Sequence, residues 1–305
     1  MNGYGSGFKT RAWLMAAVLA AFMAGCGSGD EIFGTGGLGG SAPPAGPAPA
    51  LGTLAGFGGM SGGGTAGMTN QGTLTQVNGG NMGTTATSTS SVTGFHDSAG
   101  DIYTETPANI GAVSGLIYSC TVSTTGPTSG GVNAASCAIA TQALADAQAA
   151  YNDLTPAARP GGLNPGANLS GLTLAPGIYT APAGSFLIQN GTIDPAGDLT
   201  LNGSATDVWV FQMATSLTVG GPGAAFPRSV NLTGGALAKN VFWQVGSAAT
   251  INAGGGGTMV GTIISQAATS ISTAGSGIIT TVNGRAIALT ASVTMTNTIM
   301  NIPAP

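Results

Sequence analysis

The one histidine of the chain, His96, stands beside Asp97, and three further carboxylates, Asp194, Asp198 and Asp207, fall close together in sequence. These are the residue types from which an acid–base pair could be assembled. A His–Asp dyad needs both side chains on one side of the backbone, whereas neighbours in a strand point to opposite faces. Paired carboxylates would suit polysaccharide cleavage, and six or more oxygens would be needed to hold calcium. The three Asp sit in DPAGD and ATD, contexts that read as turns. Cys120 and Cys137 have no His or Cys at zinc-ligand spacing. The reactive residues therefore point away from an enzyme, a metal, a cofactor or a small-molecule substrate. They point toward a protein that acts through the shape of its surface.

Composition narrows the scaffold that builds such a surface. Six Lys or Arg and ten Asp or Glu stand against 54 glycines in 305 residues. Charged residues make up 5% of the chain, where an ordinary domain carries about 25%. After position 25 the basic residues are Arg159, Arg228, Lys239 and Arg285, too few to neutralise a run of phosphates, so nucleic-acid binding is excluded. The glycines show no three-residue period, which excludes collagen. Val, Ile, Leu, Phe and Trp recur in strand-length runs, which separates the chain from disordered sequences.

The N-terminus reads as an export signal. Lys9 and Arg11 precede an apolar stretch, Ala12 to Phe22, that is too short to span a bilayer. It ends Met23-Ala24-Gly25-Cys26, which resembles a bacterial lipobox with Met23 in place of the usual Leu. Cleavage before Cys26 and its lipidation would leave a surface or outer-membrane lipoprotein, attached to a membrane only through that anchor; cleavage without lipidation would leave a secreted protein. Residues 1–25 are thus a signal peptide, and residues 26–49, ending SAPPAGPAPA, read as a Gly/Pro/Ala tether. Setting Cys26 aside leaves Cys120 and Cys137, an even pair expected to form a disulfide in an oxidising compartment.

From about residue 50 to 305 the pattern is β. Segments such as SLTVGG, ATINAGG and SVTMTNT alternate apolar and polar residues, and Gly or Asn marks the corners. VWVFQMATSLTVGG at 208–221 is echoed by VFWQVGSAATINAGG at 241–255. A strand–corner–strand–corner unit repeated in this way predicts stacked coils, which bury a face only by stacking. Trp209, Phe211, Phe242 and Trp243 read as core, with some turned outward beneath a covering element. One segment breaks the rhythm. Residues 134–154 lack glycine and place Ile139, Ala143, Ala147, Tyr151 and Leu154 on one helical stripe, which predicts a long helix beside the coils.

Several stretches carry a family resemblance. They are Ala-Tyr-Asn-Asp-Leu at 150–154, Leu174-Ala175-Pro176-Gly177-Ile178-Tyr179, Val-Phe-Trp-Gln-Val-Gly at 241–246 and Val-Asn-Gly-Arg at 282–285. In this order the chain resembles the DUF3494 ice-binding proteins, closely over about 134–300. The resemblance implies a right-handed, three-faced β-helix with the long helix packed alongside. It also implies a small cap at residues 94–133, joined to the start of the helix through Cys120 and Cys137. Its functional surface would be one flat, solvent-facing side, and its partner an ice crystal surface. A monomer is expected.

The physics of that function fits the composition. Stacked coils repeat residues at about 4.8 Å, and same-face residues of a strand lie nearly 7 Å apart, spacings comparable to those in ice. Thr offers a hydroxyl and a methyl on a stiff χ1, so the array is preorganised. Alternation turns Ser216, Thr218, Thr250, Asn252, Ser270, Ser272, Thr294 and Thr296 outward. Thr273-Ala274-Gly275-Ser276 approximates the Thr-(Ala/Gly)-Xaa-(Thr/Asn) pattern of the family, so Thr273 and Ser276 join the candidates. The equivalent Val219-Gly220-Gly221-Pro222 and Ala253-Gly254-Gly255-Gly256 depart from it, which argues for moderate activity. The rival reading is a surface adhesin or polysaccharide binder on the same scaffold, which would present aromatic side chains along a groove.

Overall fold

The strongest apolar runs form the centre of the molecule. The computed structural model describes residues 40–64, 67–191, 195–221, 226–273 and 277–304. In it Gly177–Thr180, Trp209–Met213, Val241–Val245, Thr258–Ser265 and Thr280–Ala288 are successive parallel strands of one 13-stranded sheet. Their register places Tyr179, Phe211, Trp243 and Ile263 in one buried row. The rings of Phe211 and Trp243 stack with centroids 4.0 Å apart, and Tyr179 follows Phe211 at 5.4 Å. Ile178, Val210, Phe242, Ile264 and Ile287 leave the same strands on the opposite side and are buried as well. A parallel sheet covered on both faces reads as a near-continuous apolar run, which is why WVFQM and VFWQV scarcely alternate. The one polar residue of the first of these runs, Gln212, is satisfied: it donates to the carbonyls of Leu154 and Arg159 and accepts from the Thr180 hydroxyl.

The cover is the helix Ala134–Asp153. Asn133 caps its start by accepting from the amides of Ala135 and Ser136, and Leu154 is its C-cap. The face laid on the sheet is Ala140, Ala143, Ala147, Ala150 and Leu154. This corrects the expected stripe, because Ile139 and Tyr151 are only partly buried at its margins. Small alanines let the helix axis approach a sheet surface already filled by Phe242 and the isoleucines, and the larger residues seal the edges.

Two further parallel sheets complete the scaffold. One has seven strands in the order Phe186–Ile188, Leu217–Val219, Ala249–Ile251, Thr269–Ile271, Val293–Met295, Met68–Asn70 and Val92–Thr93. The other comprises Thr173–Leu174, Leu199–Asn202 and Val230–Thr233. The fold is mainly β with, among the described residues, a single α-helix, and the parallel pairing of strand after strand is consistent with a β-solenoid. The strands do not stack in sequence order: the N-terminal pair lies beyond Val293–Met295. The chain must therefore travel from one end of the stack to the other between residues 119 and 163. The helix makes that return. Its 20 residues span about 30 Å, close to the six intervals of about 4.8 Å between seven strands.

Residues 94–133, expected as a cap, contribute strands to the main sheet: Gly111–Val113 pairs with Thr75–Asn78, and Ile117–Ser119 pairs with Asn81–Thr84. Cys120 and Cys137 are joined by a disulfide that ties this region to the first turn of the helix. The last part of the expected tether is docked rather than free. The Ile178 amide donates to Pro43 at 3.0 Å, Arg159 donates to the Ala45 carbonyl at 2.6 Å, and Ala45 is buried. Pro and Ala at these positions supply carbonyls and small apolar surface to an otherwise open strand edge. Cys26 and the signal segment lie outside the described residues.

Candidate functional site

The residues with chemical potential are scattered and engaged in structure. His96 bonds through Nδ1 to Glu105 Oε1 at 2.6 Å, not to Asp97. Asp97 instead accepts from the amides of Ala99, Asp101 and Ile117. Asp207 accepts from the Ser204 amide three residues earlier, as a turn former does, whereas Asp198 accepts from the amide of Ser229, 31 positions on, and so ties two successive strands together. Asp194 lies outside the described residues. Among the described residues no group of three or more His, Cys, Asp or Glu is placed to hold a metal.

The seven-stranded sheet offers something different. Six of the strands have the burial pattern in–out–in with the middle residue half-exposed, and in the two-residue strand Val92–Thr93 the half-exposed residue is Thr93. The middle residues are Cα partners across every strand pair, giving one continuous column: Leu187, Thr218, Thr250, Ser270, Thr294, Thr69 and Thr93. The inward neighbours Phe186, Leu217, Ala249, Val293, Ile188, Val219, Ile251, Ile271 and Met295 hold the strands against the core. Within the described residues the hydroxyls of Thr218, Thr250, Ser270, Thr294 and Thr69 have no hydrogen-bond partner in the protein and face solvent. The ends differ: Leu187 has no hydroxyl, and Thr93 donates to the Ser90 carbonyl at 3.1 Å. A second row, two residues earlier, runs Ser185, Ser216, Ala248, Ala268, Ser292, Gly67 and Ser91; from Ser216 on, each carbonyl of the row accepts from the first amide of the preceding strand in the stack, Phe186, Leu217, Ala249, Thr269, Val293 and Met68 in turn. No Lys, Arg, His, Asp or Glu occurs in either row.

Of the expected outward residues, Ser216, Thr218, Thr250, Ser270 and Thr294 stand on this face. Three do not. Asn252, Ser272 and Thr296 are buried, at 1%, 0% and 1% exposure. Alternation fails there because the strands end at Ile251, Ile271 and Met295 and the chain turns. Asn252 and Ser272 take left-handed backbone angles, φ +44° and +48°, and Asn297 does so one residue later at +48°. Each corner turns the side chain inward. Asn252 uses this position as a clamp, accepting from the Arg228 amide and donating to the carbonyls of Arg228 and Gly256. Thr273 is exposed but lies past the corner, its hydroxyl donating to the Ala253 carbonyl. Ser276 lies outside the described residues. Sequence reading missed Thr69 and Thr93. The hydroxyl at the centre of the triplets Met68-Thr69-Asn70 and Val92-Thr93-Gly94 is a usable signal, but nothing local says that these N-terminal strands stack beyond Val293–Met295.

Among the described residues no other outer column carries as long a run of hydroxyls: on the three-stranded sheet Thr173, Thr200 and Asn231 give only three rungs. On the main sheet one runs Thr258, Thr281, Ile299, Gln76, Ala112 and His96. Beside it Asn78, Asn301 and Asn283 bond to one another through their amides at 3.1 and 3.0 Å, so those polar groups are already satisfied. The perturbed ionisable groups are elsewhere too. Burial pushes the phenols of Tyr103 and Tyr179 up and the Arg285 guanidinium down, and Arg285 donates to the carbonyls of Ala55 and Pro303. The face is neutral at every ordinary pH.

Comparison with known proteins gives a consistent assignment. An ice-binding protein of Flavobacterium frigoris is 36% identical over 160 residues, 52% of this chain and 51% of the relative. One from a Colwellia species is 34% identical over 192 residues, 63% of this chain and 66% of the relative. The chain thus spans about half to two thirds of the length of these relatives. Among solved structures, the DUF3494 domain of Shewanella frigidimarina ice-binding protein 1 superposes with a TM-score of 0.64 at 25% identity, covering 86% of this chain and all of that domain. The family model described as ice-binding-like matches residues 63–301, and the chain belongs to that family.

Proposed function

We propose that the protein adsorbs to ice through the outer face of the seven-stranded sheet, slowing growth and recrystallisation of the crystal or holding the cell against it. The observation that carries this reading is the in-register hydroxyl column Thr218, Thr250, Ser270, Thr294 and Thr69. Ice is an extended neutral lattice, so its ligand must be flat, rigid and repetitive. Parallel strands provide the repeat at about 4.8 Å, Thr side chains are stiff, and the missing charges leave no tightly held hydration to displace. A polysaccharide adhesin is less well supported. Among the described residues the exposed large apolar side chains, Leu74, Ile102, Ile110, Leu116, Val132, Leu237, Ile278 and Ile279, are all aliphatic, so none of these supplies a stacking platform for a sugar.

The finer architecture in this reading is a right-handed, three-faced β-helix carrying the helix on one face and the ice-binding column on another. Its site comprises Thr218, Thr250, Ser270 and Thr294 together with Thr69, with Ser216 beside it in the flanking row. Export and anchoring through Cys26 would present the solenoid outside the cell as a monomer. Partition into slowly growing polycrystalline ice tests adsorption directly. The protein should be enriched in the ice fraction, while exclusion of the folded chain at the level of a non-binding control would contradict the reading.

A further inference from the structure

We infer that adsorption runs along a single file of five hydroxyls, Thr218–Thr250–Ser270–Thr294–Thr69, which is stopped at its two ends by Leu187 and Thr93. This inference rests on the ice-binding reading of the face and specifies which of its residues set the extent of contact. The argument lies in the differing states of the hydroxyls. In the central file none has a partner in the protein among the described residues. A hydroxyl whose proton is already donated to protein can only accept from a lattice of water unless it breaks that bond, which reduces the gain. Thr93 is in that position, because its hydroxyl donates to the Ser90 carbonyl.

The flanking row offers no open hydroxyl either, because its serines are bonded within the protein or, at Ser91, buried. Ser185 bonds to Thr215 at 2.6 Å and to Ser216 at 3.0 Å, so those hydroxyls satisfy one another. Ala248 and Ala268 offer none, and Ser292 accepts from the Gly67 amide. What remains is one row with a repeat of about 4.8 Å, not a two-dimensional grid. At the other end Leu187 is an in-register partner of Thr218, yet its side chain has only carbon to offer. Beyond it the next in-register residue is Asn168, whose side chain already accepts from the Ser170 and Gln189 amides and donates to the Gln189 carbonyl, so the open hydroxyls do not resume there.

The file can be read out by conservative substitutions measured for thermal hysteresis at matched concentration, with circular dichroism to verify the fold. Thr294→Val and Thr69→Val should each lower activity. Thr93→Val and Ser216→Ala, which remove hydroxyls already in use, should leave it unchanged. Leu187→Thr should raise it by roughly a fifth, the ratio of six open hydroxyls to five if rungs add independently. Losses from Thr93→Val or Ser216→Ala as large as that from Thr294→Val would overturn the single file while leaving the face in place. If no member of the series, nor Thr250→Tyr, changes activity in an active parent, the file and the face both fail.

Discussion

Thr250 and Ser270 are Cα partners on adjacent parallel strands, and Thr218 and Thr294 continue the same register on either side. The alignment is imposed from beneath: Ile251 faces Ile271 and Val219 across the same pairs, buried in the core. A slip of one residue would exchange the hydroxyl row for the apolar row. The core thus fixes the geometry of the outer face.

This dependence predicts how the corners behave. Asn252→Ala removes side-chain bonds to the Arg228 amide and to the carbonyls of Arg228 and Gly256, at a residue with positive φ. Leaving those buried groups unpaired should cost about 2–3 kcal/mol. Denaturant titration would show the loss. Asn252→Gly should recover part of it through the backbone, and a fully stable Asn252→Ala would contradict the clamp.

The disulfide makes a second case. Cys120 and Cys137 are separated by 17 positions, a loop whose closure contributes about 3 kcal/mol in the chain-entropy account. Replacing both by Ser should lower the denaturation midpoint without altering ice affinity, since neither residue belongs to the seven-stranded sheet. Loss of affinity in a folded double variant would place the helix junction in the site.

The docked segment before Leu51 gives a third. Ile178 has its amide bonded to Pro43 and its carbonyl bonded to the Leu163 amide, so the outer edge of that strand is closed by two segments. Arg159→Ala frees the Ala45 carbonyl and should cost about 1.5–3 kcal/mol, the range for a hydrogen bond to a charged group. It should also loosen an edge that favours self-association. Light scattering of the variant beside the parent checks this, and an unchanged mass with unchanged stability would contradict it.

The pH response should separate stability from function. Burial raises the phenol pKa of Tyr103 and Tyr179 above the ordinary 10.0. A raised acid pKa means that the folded state holds its proton more tightly, so this contribution is complete below pH 10 and is lost as pH climbs above it. Ice affinity, which involves no ionisable group, should be flat wherever the fold persists. A midpoint that stays level well above pH 10 would contradict the first statement, and hysteresis that titrates near neutrality would contradict the second.

Much of this arrangement was legible from residue patterns. The aromatic strands announced the core, the glycine-free alanine segment announced the helix, and in–out alternation located Thr218, Thr250, Ser270 and Thr294. The failures have a common cause. Alternation is a property of strands, and it was carried one step past Ile251, Ile271 and Met295 into corners where left-handed residues turn the chain inward. Thr69 and Thr93 were missed because their place depends on long-range stacking beyond Val293–Met295, which no local pattern encodes. The docking of Pro43 and Ala45 was hidden for a related reason. A Pro/Ala segment has little to bury, and its fit depends on a strand edge more than a hundred residues away.

The most direct test of the central claim is thermal hysteresis of Thr250→Tyr beside the parent protein, with both folds verified by circular dichroism. Thr250 lies inside the open row, and a ring there would lift the surface away from a flat crystal. The account predicts a folded variant whose hysteresis is largely abolished. A folded Thr250→Tyr with the full activity of the parent would show that ice, if bound at all, meets another part of the molecule.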